Sequence, residues 1–569
     1  MRKCSLVLLL IVTLITTADS VAAQSKDLNN EATNNDDVSS ARAVAYSLIE
    51  GLLSHSKRQN GSPLPPRLDL VFILDTPFTE CSSKQFWILK VFLQNLVKEF
   101  SISPSTTRIG LIRCSANAGL HFGLDHFMNR ECALKALKNL RYQPSSRCSL
   151  NSAFDLARRI VFKKNDLQAK KIVFLLSAEK QRHDRKTFVS AAKLRRNGVE
   201  VFELCVGSHH RAREDKRIAS KPMRTHRLHV DDYDALVEVA DLIKSEGLGQ
   251  SCSTTGIVYD ECRRRCRCSN GQMVDCYRVR KEFTSMTLEE RRLYIHALKT
   301  VSSVQPYKRM YDTLTTYHPL WFKGVHRLKY FFPWHRWYIL IFENFLRQVD
   351  CRVTVPYWDW SRAVSKGALF RASYIRDVWH PGPHALGGDG TKSDLCVQNG
   401  PFRKNSWFVY LMLKNNNKPT CLTREFNTCY SQYLFNAQNV SKLFQLPLHK
   451  FRVFEKKVRR AMHDQFHNAI GGVMSLEESA NAPEFWFHHG YLDKLWADWQ
   501  KRGPKFKHQY YHGVTTNFPG TKIRGSWFID LSRQPFCVKV VHDQPIDMEE
   551  REEDFDPSIN EPVPIYWCR

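Results

Sequence analysis

Residues 462–468 read Met462-His463-Asp464-Gln465-Phe466-His467-Asn468, and residues 483–489 read Pro483-Glu484-Phe485-Trp486-Phe487-His488-His489. Two histidines four apart project from one face of a helix and can ligate one ion. Proline at 483 suits a helix opening that would carry His488 and His489 inward. Upstream, Gly324-Val325-His326 and Phe332-Pro333-Trp334-His335-Arg336-Trp337-Tyr338 form a second aromatic frame, with eight residues between its two histidines. Neutral imidazole suits copper, zinc, iron and nickel, and several imidazoles without thiolate or carboxylate partners lean towards copper. Zinc proteases also use an HxxxH pair, but they need glutamate directly after the first histidine, and Asp464 stands there. Helices are expected at 287–301, opened by the capping box Thr287-Leu288-Glu289-Glu290, then at 307–317 ending at His318, 333–349, 452–467 and 483–500. Four helices lending inward histidines would build a binuclear centre in the core of a bundle.

The N-terminal half follows a different period. Leu68-Asp69-Leu70-Val71-Phe72-Ile73-Leu74-Asp75 is a continuous apolar run ending in aspartate, as expected of a strand buried on both faces. Strands near 108–113, 171–177 and 199–206 alternate with helical stretches at 84–100, 130–140, 149–162 and 185–196. This alternation predicts an α/β domain with a doubly wound parallel sheet.

A chain of 569 residues is too long for one ordinary core, so a multidomain protein is expected. Residues 1–23 carry Arg2 and Lys3, an apolar run from Leu6 to Ile15 and small residues at Ala22-Ala23, which is the pattern of a secretory signal. No other stretch is long and apolar enough to span a bilayer, so a soluble, secreted, extracellular protein is expected. Cys4 aside, sixteen of the seventeen cysteines remain, an even number that favours disulfides in an exported chain. Asn60-Gly61-Ser62 and Asn439-Val440-Ser441 are glycosylation sequons. The net charge of +27 points to acidic matrix or glycans rather than nucleic acid. Residues 24–66 read as a disordered leader with a dibasic pair, Lys57-Arg58, where a protease could cut. Cys252, Cys262, Cys266, Cys268 and Cys276 crowd the segment 251–280, which reads as a disulfide-stapled linker rather than a zinc knot.

Residues 67–250 resemble a von Willebrand factor type A domain. Such domains bind a divalent ion through a DxSxS turn; here the turn is Asp75-Thr76-Pro77-Phe78-Thr79, and Ser177-Ala178-Glu179 follows the later strand where an aspartate would be expected. With two expected oxygen ligands missing, that site is expected to be empty and the domain to serve as scaffold or adhesion module. Residues 281–505 resemble the common central domain of tyrosinases through Phe331–Tyr338 "FFPWHRWY", Val355–Trp360 "VPYWDW", His463–His467 "HDQFH" and Pro483–Gln500 "PEFWFHHGYLDKLWADWQ". The cysteine-rich stretch is similar to that preceding some animal tyrosinase domains, and 506–569 is a C-terminal extension with an acidic run at 547–556.

The resemblance implies two copper ions, one held by His318, His326 and His335 and the other by His463, His467 and His489. His488 would be a non-ligating neighbour, and His296 competes with His318 for the first position. It also implies dioxygen as co-substrate and oxidation of o-diphenols to o-quinones, with monophenol hydroxylation a further step. That step needs the phenol proton removed near the metals, for which Asp464 and Glu455 are the candidates. Some relatives tether the second histidine to a cysteine two residues earlier; Gly324 excludes that crosslink here. Phenolic small molecules or protein tyrosine and dopa side chains are the implied substrates, with quinone crosslinking or pigmentation of matrix as the outcome. An oxygen-binding protein, or a matrix adhesion protein without turnover, are the rival readings.

Overall fold

The computed structural model describes residues 41–559, apart from 57–65, 76–81, 115–117, 143–148, 163–168, 179–183, 208–216, 247–251, 253–255, 327–328, 416–417, 512–515, 547–551, 555 and 557. The expectations for the signal, the dibasic pair, Asn60 and the turn after Asp75 fall outside the described residues. The chain divides into two units between Gly249 and Gln250.

The first unit contains α1 (Ala41–Gly51), β1 (Leu68–Asp75), α2 (Ser83–Lys98), β2 (Thr107–Cys114), β3 (Gly119–Phe122), α3 (Arg130–Lys138), α4 (Leu150–Leu156), β4 (Lys170–Ala178), α5 (Arg185–Arg196), β5 (Val199–Val206), β6 (Arg227–Val230) and α6 (Tyr233–Glu246). Its sheet runs β3-β2-β1-β4-β5-β6 and is parallel except at the β3 edge. All eight residues of β1 are buried. Leu70, Phe72 and Leu74 face the cluster that includes α2 and α6, while Val71 and Ile73 face the one that includes α4 and α5. That two-sided burial is why the strand reads as an unbroken apolar run.

One expectation fails here. Within the supposed disordered leader, α1 buries Ala41, Val44, Ala45 and Leu48 in the same core as α2 and α6. Four apolar residues at helical spacing were hidden in a composition dominated by Asn, Asp and Ser, and tertiary packing orders them.

The second unit opens with β7 (Gly256–Tyr259), β8 (Arg265–Ser269) and β9 (Gln272–Arg280). Helices α7 (Leu288–Ser303), α8 (Tyr307–Thr315), α9 (Tyr317–Val325) and α10 (Phe331–Leu346) follow. Later come α11 (Phe451–Lys456), a π-helical stretch Lys457–Asp464, α12 (Gln465–Ile470), α13 (Pro483–Lys501) and β10 (Val540–His542). The predicted capping box is present: Thr287 accepts from the Glu290 amide, and Glu290 accepts from that of Thr287. Proline at 483 occupies the first turn of α13.

The cysteine-rich stretch is no mere linker. Disulfide Cys252–Cys268 ties the chain before β7 to β8, Cys266–Cys276 ties β8 to β9, and Cys262–Cys351 ties the stretch to the chain just after α10. Strand β10, from the C-terminal extension, pairs in parallel with β9, so the sheet order is β10-β9-β8-β7. Part of the acidic run is also docked: the Asp554 carbonyl accepts from the Ile375 amide at 2.8 Å, and the Asp556 amide donates to the Ser373 carbonyl at 2.8 Å. Local periodicity shows strands but not which distant strand completes them, so both segments looked separable in the sequence.

Replacing Cys262 and Cys351 by serine opens a loop with a sequence separation of 89 residues. The expected cost is about 2–5 kcal/mol of stability, read from denaturant unfolding of the second unit; an unchanged midpoint would show that packing alone holds the strands in place.

Candidate metal centre

Five helical segments deliver six histidines to one interior space. His318 is in the first turn of α9 and His326 caps its C-terminal end. His335 lies in α10, His463 in the π-helical stretch, His467 in α12 and His489 in α13. The helix expected to end at His318 stops earlier, and the histidine belongs to the next helix, followed by Pro319 where a first turn tolerates proline. His296 is exposed on α7, away from the cluster.

The rings of His318, His326 and His335 lie 5.0, 5.0 and 5.9 Å apart, and those of His463, His467 and His489 lie 4.5, 5.1 and 5.7 Å apart. Across the two triads His335 stacks on His489 at 4.3 Å with an interplanar angle of 6°. Three overlapping groups, His318–His335–His489, His326–His335–His463 and His463–His467–His489, each bring one nitrogen per residue within 4.8 Å of the others. His488 is turned elsewhere, stacked on Phe466 at 4.3 Å and accepting a hydrogen bond from the Trp360 indole at 3.2 Å.

Five of the six imidazoles are pinned at Nδ1. His318 meets the Glu477 carbonyl at 2.5 Å, His326 that of Phe322 at 2.9 Å, His335 that of Phe331 at 2.7 Å and His467 that of Met474 at 2.6 Å. His463 meets the Asp464 carboxylate at 2.7 Å. An acceptor at Nδ1 places the proton there and leaves the Nε2 lone pair free. All six Nε2 atoms are buried without a hydrogen-bond partner among the described residues. Burial, aided by the neighbouring imidazoles, holds the histidines neutral: His318, His335, His463 and His489 are pushed well below their ordinary range and His326 to about 4. Neutral imidazoles with inward lone pairs, and no thiolate among them, are a donor set that fits copper.

Of the two carboxylates flagged in the sequence, Asp464 is hydrogen-bonded to this set, whereas Glu455 bonds to Arg459 and Tyr511. Asp464 accepts from His463 and, on its other oxygen, from Arg460 at 2.9 Å. Glu455 is fully buried, accepting from Arg459 Nε at 2.6 Å and from the Tyr511 hydroxyl at 3.2 Å, and burial raises its pKa. Tyr511 comes from the C-terminal extension and had no local signal. The anchoring carbonyls of Glu477 and Met474 were equally invisible, since any residue type supplies one.

Two glycines set the packing. A Cβ on Gly490 would meet the Pro356 carbonyl at 2.7 Å, so only glycine lets α13 lie this close to "VPYWDW". A Cβ on Gly324, where some relatives have cysteine, would meet Pro519 at 2.9 Å. Cavities of about 120 Å³ beside Trp358 and Trp379, and of about 200 Å³ beside Tyr259 and Arg352, contain none of the six histidines.

Comparison with known proteins gives two family matches: the common central domain of tyrosinase over residues 298–502 and the von Willebrand factor type A domain over 69–242. The tyrosinase of Streptomyces antibioticus is 33% identical over 246 residues, which cover 40% of this chain and 84% of that relative. Grixazone synthase of Streptomyces griseus is 28% identical over 276 residues, covering 40% and 86%. Among solved structures, proximal thread matrix protein 1 from the mussel byssus aligns over 42% of this chain and 59% of its own, with 16% identity and a TM-score of 0.29.

Two measurements probe the site. His326 titrates at about 4 when folded against 6.5 ordinarily, so between these values the unfolded chain binds more protons. The stability due to neutral imidazole is therefore complete above about pH 6.5 and lost as pH falls through about 4. The melting temperature of metal-free protein should drop across that window, less steeply in His326→Gln; a flat profile would contradict it. Asp464→Asn removes the carboxylate that orients His463 and should weaken metal affinity about tenfold to a hundredfold in a competition titration. Equal affinities would show that this hydrogen bond does not act on the donor.

Proposed function

Because this chain belongs to the tyrosinase family, we propose that its second unit is a binuclear copper oxidase that converts o-diphenols to o-quinones with dioxygen. The observation that carries this reading is the set of six clustered imidazoles, each with a buried Nε2 that has no hydrogen-bond partner among the described residues. We assign one copper to His318, His326 and His335 and the other to His463, His467 and His489. When bound, the copper pair supplies the electron exchange by which two diphenols become two quinones while one dioxygen is reduced to two waters.

The chain's own residues do the rest. Burial keeps the imidazoles unprotonated, and the Nδ1 contacts fix ring orientation before any ligand arrives. The phenolic protons need an acceptor, and among the described residues Asp464 is the carboxylate hydrogen-bonded to the histidine cluster; its side chain is 34% exposed, so it can pass a proton to water. Monophenol hydroxylation also requires the phenol proton to leave beside the metals, and we assign that role to Asp464 with Glu455 behind it, the latter steadied by Arg459 and Tyr511.

The biological setting is read as extracellular. Disulfides support an oxidising compartment, and no helix among the described residues is long and apolar enough to cross a membrane. The von Willebrand factor type A domain and the net charge of +27 support attachment to acidic matrix or glycans, where protein tyrosine and dopa side chains would be oxidised for crosslinking or pigmentation.

The wild-type protein should bind two coppers per chain and oxidise catechol, and His335→Ala should lose at least about a hundredfold of that rate with a metal ligand gone. Copper binding without turnover would favour an oxygen carrier, and neither would favour an adhesion protein. Steady consumption of tyrosine without a diphenol primer would establish the monophenol step, and its complete absence would refute that part.

A further inference from the structure

Strand β9 carries two arginines into the helical core of the second unit. Both are fully buried, with relative exposures of 2% at Arg278 and 1% at Arg280. Arg278 Nη1 donates to Glu343 Oε1 at 2.9 Å and to Asn344 Oδ1 at 2.7 Å. Arg280 makes a different connection: its Nε donates to Glu343 Oε2 at 2.9 Å and its Nη1 to Asp493 Oδ2 at 3.1 Å. Glu343 is on α10, two turns beyond His335, and Asp493 is on α13, one turn beyond His489. One guanidinium therefore joins the two helices whose histidines, one from each triad, stack at 4.3 Å.

We propose that Arg280 is a positioning residue that sets the separation of the two histidine triads, and through it the coupling between the two ions they hold. This rests on the binuclear copper reading above. Buried ion pairs contribute little net stability compared with apolar packing of the same volume. What a planar guanidinium does supply is two donors at a fixed spacing, so two carboxylates that share it cannot drift apart independently. Each acceptor is braced from a second side. Glu343 Oε2 also accepts from the Val355 amide at 3.1 Å, and Asp493 Oδ1 accepts from Arg336 Nε at 2.5 Å. Although burial opposes its charge, Arg280 and Arg278 keep Glu343 ionised at about 2. His542 of β10 lies 3.7 Å from Asp493 Oδ2. The β9 backbone is in turn held by Cys266–Cys276 and by pairing with β10, so the clamp has a rigid mount.

The test uses the full chain loaded with Cu(II), as wild type, Arg280→Lys and Arg280→Met. Copper per chain, the fraction of copper visible by electron paramagnetic resonance, and kcat and KM for catechol are measured. Two strongly coupled Cu(II) ions cancel each other's signal, so wild type should be nearly silent. Both variants should retain two coppers yet show a severalfold larger visible fraction. Their kcat should fall about tenfold to a hundredfold with KM little changed, the size expected from roughly an ångström of misplacement. Folded, fully loaded variants that remain silent with wild-type kcat would overturn the clamp alone. Failure of both variants to fold would make Arg280 an ordinary core support and overturn it as well. A wild-type protein that never loads a copper pair would sink the oxidase reading, and the clamp with it.

Discussion

Six clustered imidazoles, whose inward nitrogens are buried without hydrogen-bond partners among the described residues, are the constraint around which the second unit is organised. An unpartnered buried nitrogen costs about 1–3 kcal/mol, so apolar packing must hold the arrangement until an ion offsets that cost. The aromatic frames around the histidines supply the packing. Trp486 stacks on Phe342 at 3.6 Å and Trp496 on Phe332 at 5.1 Å, each joining α13 to α10. Gly490 lets α13 approach the Pro356 carbonyl. The residues that look like core filler in the sequence are therefore the ones that make the metal-free site mechanically possible.

What the sequence reveals is what depends on short range. His463 and His467 are legible because helical periodicity alone puts them on one face, and the run at Leu68 is legible because a strand buried on two sides needs no alternation. His318 was harder: local reading placed it at the end of one helix, whereas Pro319 marks it as the start of another. The leader helix was lost to composition, because its four buried residues are outnumbered by polar neighbours. The Nδ1 anchors, the Tyr511–Glu455 bond and the Cys262–Cys351 crosslink join residues far apart in the chain. No local period records them.

The two units solve the burial problem in different ways. In the first, one central strand divides its side chains between two helical layers, so the core is apolar on both sides. In the second, charge enters the core and is neutralised in place: Arg336, Arg280 and Asp493 form one cluster, and Arg424 with Glu484 forms another, the latter fully buried with bonds of 2.8 and 2.9 Å. Glu484 precedes His489 on α13 by little more than one turn, so ion pairs flank that histidine along its helix.

Pairing of His542 with Arg280 brings together strands separated by nearly half the chain. A ribosome must release β10 before β9 gains its outer neighbour, and until then the sheet edge stays open beside the helices that would capture metal. Closure of this sheet is consequently tied to synthesis of Val540–His542, well after β9 itself has been made. The sheet is thus finished only after every histidine-bearing helix has been made.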